Sequence, residues 1–258
     1  MTKTRVYNGI LSKNGLTKQV QDNLAIEHPL SVSINGEAFT LTMQTPGNEL
    51  ELIRGLLFSE GVYKKKSGEF NYNIIEKSPE NFVSKVDLQI SPEDLDQSLV
   101  NKRNLLSVAS CGICGKTELN FPQGSLEESQ LDDELIKFSE MFDAMRLHQS
   151  AFEASGGSHA AAIFNRHFQL ITVMEDIGRH NAVDKCIGSL LNKGRLSDAR
   201  YLLVSGRVSY EIITKCFAAG IPVLAAVSAP SSLSVDFAKE LGIRLYGFCR
   251  EGRVTRYA

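Results

Sequence analysis

The sequence predicts an α/β protein in two parts, a smaller mixed β/α segment over residues 1–125 and a larger α/β domain over residues 126–258. Three observations predict this. Short apolar runs alternate with helical patterns through the second half, which implies crossover connections and a mixed, largely parallel sheet with helices on its faces. In the first half, an alternating stretch over residues 28–42 turns at Asn35-Gly36, the strongest short hairpin signal. Between the halves, residues 121–128 are polar and carry Pro122 and Gly124, which marks the boundary.

Taken in order, residues 1–16 scatter Lys3, Arg5, Asn8 and Lys13 among apolar residues and show no regular pattern. After the hairpin, Leu50, Ile53, Leu56 and Leu57 fall at helical spacing over residues 48–58, with Gly61 as a stop. Residues 70–76 and 82–90 read as strands, and Ser91-Pro92-Glu93-Asp94 opens a polar helix. The stretch 105–108 leads into a cysteine loop, and residues 131–148 form a long amphipathic helix. Strands are then expected at 160–164, 168–174, 201–204, 222–227 and 244–248. Helices are expected at 181–191, 210–219 and 235–241.

The 258 residues carry a formal net charge of −2, so no global field draws the chain onto nucleic acid. The N-terminus lacks the apolar run of a secretory signal, and no stretch approaches the ~20 apolar residues of a membrane span. A cytoplasmic protein is expected, with a symmetric homodimer as the default assembly.

Among the five cysteines only Cys111 and Cys114 are close, in Ser110-Cys111-Gly112-Ile113-Cys114-Gly115-Lys116. The glycines let both sulfurs sit near solvent, and Lys116 favours the thiolate. Zinc is one reading, but a tetrahedral site needs a second ligand pair, and none stands at ligand spacing. Dithiol redox is another, but its cysteines normally follow a strand and open a helix, which Gly115 disfavours. A persulfide carrier is the third. Spacing alone leaves all three open. Single Cys186, Cys216 and Cys249 are expected to be core or near-site thiols.

In the second half, polar residues gather where strands end. Gly156-Gly157-Ser158-His159 precedes one strand, and Glu175-Asp176-Ile177-Gly178-Arg179-His180-Asn181 follows another and opens a helix. Ser205-Gly206-Arg207 and the serines near Ser228 follow two more. Loops at strand ends leading into helices are where α/β sheets bind ligands, and helix N-termini favour phosphate. His159, Asp176, Arg179, His180, Ser205 and Arg207 are therefore candidate binding residues, although helix capping alone accounts for some of them. Neither a P-loop nor a dinucleotide fingerprint is present.

With CGICGK at 111–116, GGSHAAAIF at 156–164, EDIGRHNAVDK at 175–185, SGRVSYEI at 205–212 and GFCREGR at 247–253, the chain resembles the formate dehydrogenase accessory sulfurtransferase family (FdhD type). The resemblance implies a carrier that accepts sulfur from a cysteine desulfurase. It passes the sulfur to the molybdenum bis-molybdopterin guanine dinucleotide cofactor before insertion into formate dehydrogenase. Cys111 would bear the persulfide, assisted by Cys114, and Phe248, Cys249, Arg250, Glu251, Gly252 and Arg253 would form the cofactor-binding segment. The cofactor is then a bound client, with no metal of the chain's own. The larger domain would be a cytidine-deaminase-like three-layer α/β/α fold. His159 is followed by Ala160 and Ala161 where zinc deaminases need a glutamate, so deamination is excluded. A zinc- or nucleotide-binding chaperone that escorts cofactor without moving sulfur is the alternative.

Overall fold

The computed structural model describes residues 2–63, 65, 71–96, 122–126 and 137–258. Cys111, Cys114, the stretch 105–108 and the first part of the helix expected at 131–148 lie outside the described residues.

The chain begins with a ribbon that the patterning of residues 1–16 does not announce. Strands β1 (Thr4–Lys13) and β2 (Leu16–Ala25) pair antiparallel over their full lengths. Asn14-Gly15 turns between them with φ 51° and 79°, the left-handed pair a two-residue hairpin requires. The following hairpin, β3 (His28–Ile34) and β4 (Glu37–Gln44), uses Asn35-Gly36 in the same way. Helix α1 (Glu49–Ser59) carries Glu49 and Glu51 at its positive end, where acids are stabilising. It stops where expected: the Gly61 amide donates to the Phe58 carbonyl and the Val62 amide to that of Leu57, closing a Schellman cap. Strands β5 (Tyr72–Lys77) and β6 (Val83–Leu88) complete a sheet ordered β4-β3-β6-β5, in which β3 and β6 are parallel. The helix expected after Ser91 is a single 3-10 turn over Pro92–Asp94. Leu95, just beyond it, bridges to Tyr63 and is buried in the core under α1.

The second sheet runs β12-β11-β10-β9-β7-β8 among the described residues. Its strands are β7 (His159–Phe164), β8 (Leu170–Asp176), β9 (Tyr201–Val204), β10 (Val223–Ala226), β11 (Arg244–Arg250) and β12 (Arg253–Arg256). Only β9, β10 and β11 pair in parallel, while β7–β8, β7–β9 and β11–β12 are antiparallel. The sheet is therefore mixed rather than largely parallel. Two hairpins cause this, β7–β8 at one edge and the unforeseen β12, which folds back at the other.

Side-chain alternation sends residues of each strand to opposite faces. Ala161, Ile163, Leu202, Leu224 and Leu245 face the helices α4 (Arg179–Asn192), α5 (Tyr210–Ala218) and α6 (Ser232–Glu240). Ala160, Ala162, Leu203, Ala225 and Tyr246 face α2 (Phe138–Arg146), whose Phe138, Met141, Phe142 and Met145 cover them. A short helix, α3 (Ser150–Ser155), follows α2. The result is a three-layer α/β/α arrangement. Every residue of β9 and β10 is buried, as strands covered on both faces must be.

The two sheets are joined through α1 and α4. The helices cross so closely that a Cβ on Gly55 would overlap the Asp184 carbonyl, and one on Gly188 would overlap the Glu51 carbonyl. Two buried ion pairs fix the crossing. Lys215 of α5 holds both carboxylate oxygens of Asp184 at 2.8 Å and donates to Ser59 of α1 at 2.9 Å. Lys185 reaches Asp176 at 2.7 Å and the Thr45 carbonyl at 2.7 Å. Burial pushes the Asp184 carboxyl above its ordinary range against the opposing pull of Lys215, so the pair orients more than it stabilises.

Because backbone rather than a flexible side chain blocks the added methyl, Gly188→Ala is expected to cost about 3 kcal/mol, the upper end of overpacking. Equilibrium urea unfolding measures it. Loss below about 0.5 kcal/mol, the scale of an ordinary surface change, would show that the crossing tolerates separation.

Candidate functional site

Three strands end together on one side of the large sheet. Ser205 follows β9, Val227 follows β10, and Cys249-Arg250 closes β11, while His159 begins the antiparallel β7 at the same level. These residues line a cleft of about 820 Å³ at the carboxyl ends of the parallel strands, the usual ligand position in such sheets. Phe142, Met145 and Arg146 of α2 form one wall, with Gln149 and Phe152 beyond them. The turn from Arg250 to Val254 forms the other. The cleft thus pairs an apolar flank with convergent charge, the composition of a small-molecule site.

The turn wall is strained. Phe248 (φ 53°) and Glu251 (φ 54°) hold left-handed backbone without being glycine or asparagine, and Gly252 (φ 72°) follows. The register of β11 against β12 shifts between Gly247 and Arg250, so Phe248 and Cys249 form a bulge. The Phe248 amide donates to the Ser228 carbonyl at 3.1 Å, and the Arg253 guanidinium stacks over the Phe248 ring at 4.7 Å. This stacking fixes an arginine beside the cleft at a cost in backbone strain, a combination found at functional sites. Cys249 is 5% exposed, and burial pushes its thiol up to about 11, so it is an uncharged lining group.

At the other end, two side chains close on Gly206. A Cβ there would stand 3.2 Å from His159 Nδ1 and 3.3 Å from Arg179 Cδ. Burial first, then the Arg179, His180 and Arg207 charges, lower the His159 pKa against the opposing pull of Asp176. The imidazole is therefore neutral at pH 7. Arg179 Nε is buried and meets no hydrogen-bond acceptor among the described residues, while Arg207 is exposed. The Ser205 hydroxyl accepts from the Ala160 amide at 2.9 Å and so ties the start of β7 to the end of β9.

Of the residues singled out from the sequence, His159, Ser205, Cys249, Arg250, Glu251, Gly252 and Arg253 come together in the cleft lining. Phe248 lies behind it, supporting Arg253. Asp176 and His180 are occupied elsewhere. The Asp176 carboxylate, fully buried, accepts from the Thr45 and Gly178 amides, Asn181 and Lys185. His180 Nε2 lies 3.0 Å from both Ser209 and Glu211 at the start of α5. Glu175 caps α3 from a distance, accepting from the Ala151 and Phe152 amides and from Ser158. Sequence reasoning missed the α2–α3 wall. Its signal was the apolar face of an amphipathic helix, and in the structure the same face both covers the sheet and lines the cleft. Cys111 and Cys114 lie outside the described residues.

The FdhD/NarQ family model matches residues 25–258. The chain belongs to the FdhD/NarQ family. Relatives of this family include the "Sulfur carrier protein FdhD" of Streptomyces avermitilis, 38% identical over 95% of this chain and 90% of that one. That of Sulfolobus acidocaldarius is 37% identical over 95% and 92%. In fold, the chain is similar to a crystal structure described as a formate dehydrogenase accessory protein from Desulfotalea psychrophila. The TM-score is 0.72 at 22% identity, covering 99% of this chain and 97% of that one. No helix among the described residues of this FdhD/NarQ member is long and apolar enough to cross a membrane.

Two outcomes are expected. Because the folded His159 pKa is depressed, its contribution to stability is full above the ordinary imidazole value of 6.5 and is lost as pH falls toward the lower folded value. Denaturation of His159→Gln at pH 5.5 and 7.5 should show less acid sensitivity than the parent, and equal sensitivity would refute the assignment. Glu251→Asn should relieve left-handed strain and raise stability by about 0.5–1 kcal/mol in urea unfolding.

Proposed function

We propose that this chain is a sulfur carrier that serves formate dehydrogenase maturation, with Cys111 as the bearer and the cleft as the seat of its acceptor. The Cys111 thiolate attacks the outer sulfur of a cysteine desulfurase persulfide. A new S–S bond forms on Cys111, the old S–S bond breaks, and the desulfurase thiolate leaves. In the second step the acceptor attacks the outer sulfur with its own electron pair; the new acceptor–sulfur bond forms, the S–S bond breaks, Cys111 leaves as thiolate, and the acceptor supplies the two electrons that take the sulfur to sulfide level. Cys114 stands close enough in sequence to assist or relay, and Lys116 favours the charged form of the pair.

The acceptor in this reading is molybdenum bis-molybdopterin guanine dinucleotide, which is cargo rather than a resident group. The observation that carries the reading is the convergence of Arg250, Arg253, His159 and Ser205 in one cleft with an aromatic flank. Arginines suit pyrophosphate, and the flank of Phe142 and Phe152 suits a flat ring. The volume of about 820 Å³ lies within the range of small-molecule sites, about 300–1,000 Å³, and fits a nucleotide-sized part of such a ligand. The three layers and the cleft at the strand ends also support the cytidine-deaminase-like reading of the larger domain. The cytoplasm, where thiols stay reduced, is the compartment this chemistry needs.

Incubation with a cysteine desulfurase and sulfur-labelled cysteine tests the carrier role. Wild type should gain one labelled sulfur that a thiol reductant removes, and Cys111→Ala should gain none. Equal labelling of Cys111→Ala refutes Cys111 as the bearer. A wild type that binds guanine nucleotide but takes up no label favours a chaperone without sulfur transfer. Arg253→Ala should weaken guanosine diphosphate binding at least tenfold by calorimetry, while labelling of Cys111 persists.

A further inference from the structure

The α2–α3 wall of the cleft carries one buried polar side chain that the described residues leave without a partner. Gln149 stands at the N-cap of α3, is 7% exposed and lines the cleft. Its backbone is engaged: the amide donates to the Arg146 carbonyl at 3.0 Å, and the carbonyl accepts from the Glu153 amide at 2.9 Å. A polar N-cap side chain ordinarily accepts from the first amides of its helix, but that of Gln149 does not. Glu175, reaching over from β8, takes the Ala151 and Phe152 amides instead. The carboxamide is thus more than nine-tenths buried, borders the cleft and forms no hydrogen bond among the described residues. Buried amides are partnered in folded proteins, so one left facing a cleft points to a ligand.

We propose that Gln149, together with Asp143, reads the edge of the ligand's ring and selects guanine. This rests on the cleft as the seat of a guanine-dinucleotide acceptor and adds which wall reads the base. A carboxamide sets a donor beside an acceptor, so it pairs at two points with a ring edge that sets C=O beside N–H. Guanine has that edge: Gln149 Nε2 donates to the O6 carbonyl, and Oε1 accepts from N1–H. The next group along the edge is the 2-amino group, a donor only, which calls for an acceptor. Asp143, exposed on the same wall and outside any ion pair among the described residues, supplies one. Phe152, 40% exposed beside Gln149, offers the ring a face to lie on. Arg250 and Arg253 belong to the other wall, so base and pyrophosphate are held from two sides.

Calorimetry of the full chain with guanosine diphosphate and inosine diphosphate, which lacks only the 2-amino group, tests this. Wild type should bind the guanosine form roughly tenfold more tightly. Gln149→Leu should weaken both roughly tenfold and keep their ratio, while Asp143→Ala should erase the ratio. Because no bond of the fold uses the carboxamide, Gln149→Leu without ligand should unfold no earlier than wild type on heating. Unchanged guanosine diphosphate affinity in Gln149→Leu, or a ratio that survives Asp143→Ala, overturns the proposal and leaves the cleft reading standing. A wild type that binds neither nucleotide overturns both. Should Gln149→Leu unfold early, O6-methylguanosine diphosphate, which has no N1–H, decides with wild type: affinity equal to that for guanosine diphosphate overturns the proposal. A pterin carries the same ring edge, so 6-hydroxymethylpterin is the last arm, and binding tighter than that of guanosine diphosphate overturns the assignment to guanine.

Discussion

The crossing of α1 and α4 is the constraint on which the rest of the structure depends. Gly55 and Gly188 bring two backbones into contact, which leaves no room for water or for intervening side chains. Consecutive residues of α4 then point to different neighbours, as the ~100° step of a helix requires. Asp184 meets Lys215 and Ser59, and Lys185 meets Asp176 and Thr45. One pair draws α5 onto the crossing, and the other fastens the end of β4 to the end of β8. Neither partner of a pair is tolerated singly, because an uncompensated buried charge costs several kcal/mol. Together they lock the small sheet to the large one in a single orientation.

That fastening explains how EDIGRHNAVDK is used. A dense run of charge after an apolar strand reads as a ligand loop, but only Arg179 of this run lies against Gly206, beside the cleft residue His159. Most of it is joinery. Glu175 caps α3, Asp176 closes the start of α4 and pairs with Lys185, and Asn181 donates to the Met43 carbonyl at 2.8 Å. Sequence could not separate the two uses, because a buried scaffold carboxylate and a ligand-binding one share spacing and neighbours. What separates them is the count of donors reaching each oxygen, a tertiary quantity.

Legibility elsewhere follows the same division between local and non-local causes. Asn35-Gly36, the Gly61 cap and the fully apolar β9 were readable because turn chemistry, cap chemistry and two-sided burial all act within a few residues. Asn14-Gly15 carries the same turn chemistry as Asn35-Gly36, but mixed charge on both flanks hides it; the ribbon has no buried face to impose alternation. β12 was hidden for another reason. Its turn uses Glu251 where asparagine is preferred, so the hairpin is held by the Phe248–Arg253 stack and the bulge rather than announced by sequence.

The strain in that turn sharpens what kind of site this is. Two non-glycine residues in left-handed backbone cost about 1–2 kcal/mol each: Glu251 pairs with Gly252 in the two-residue turn, and Phe248 lies in the bulge. A hairpin without the bulge would continue the β11–β12 ladder and direct its side chains by simple alternation. The bulge breaks that alternation, so Cys249 turns into the sheet core while Arg250 and Arg253 remain at the rim. His159 and Arg179, in contrast, are positioned by unstrained packing against Gly206. The cleft therefore has one rigid end built into the sheet and one end shaped at a conformational cost. The proposed cargo, large, elongated and released again after use, fits this division: in that reading the rigid end would set register, and the strained turn would supply cationic contacts on a short hairpin at the sheet edge, apart from the fastened core.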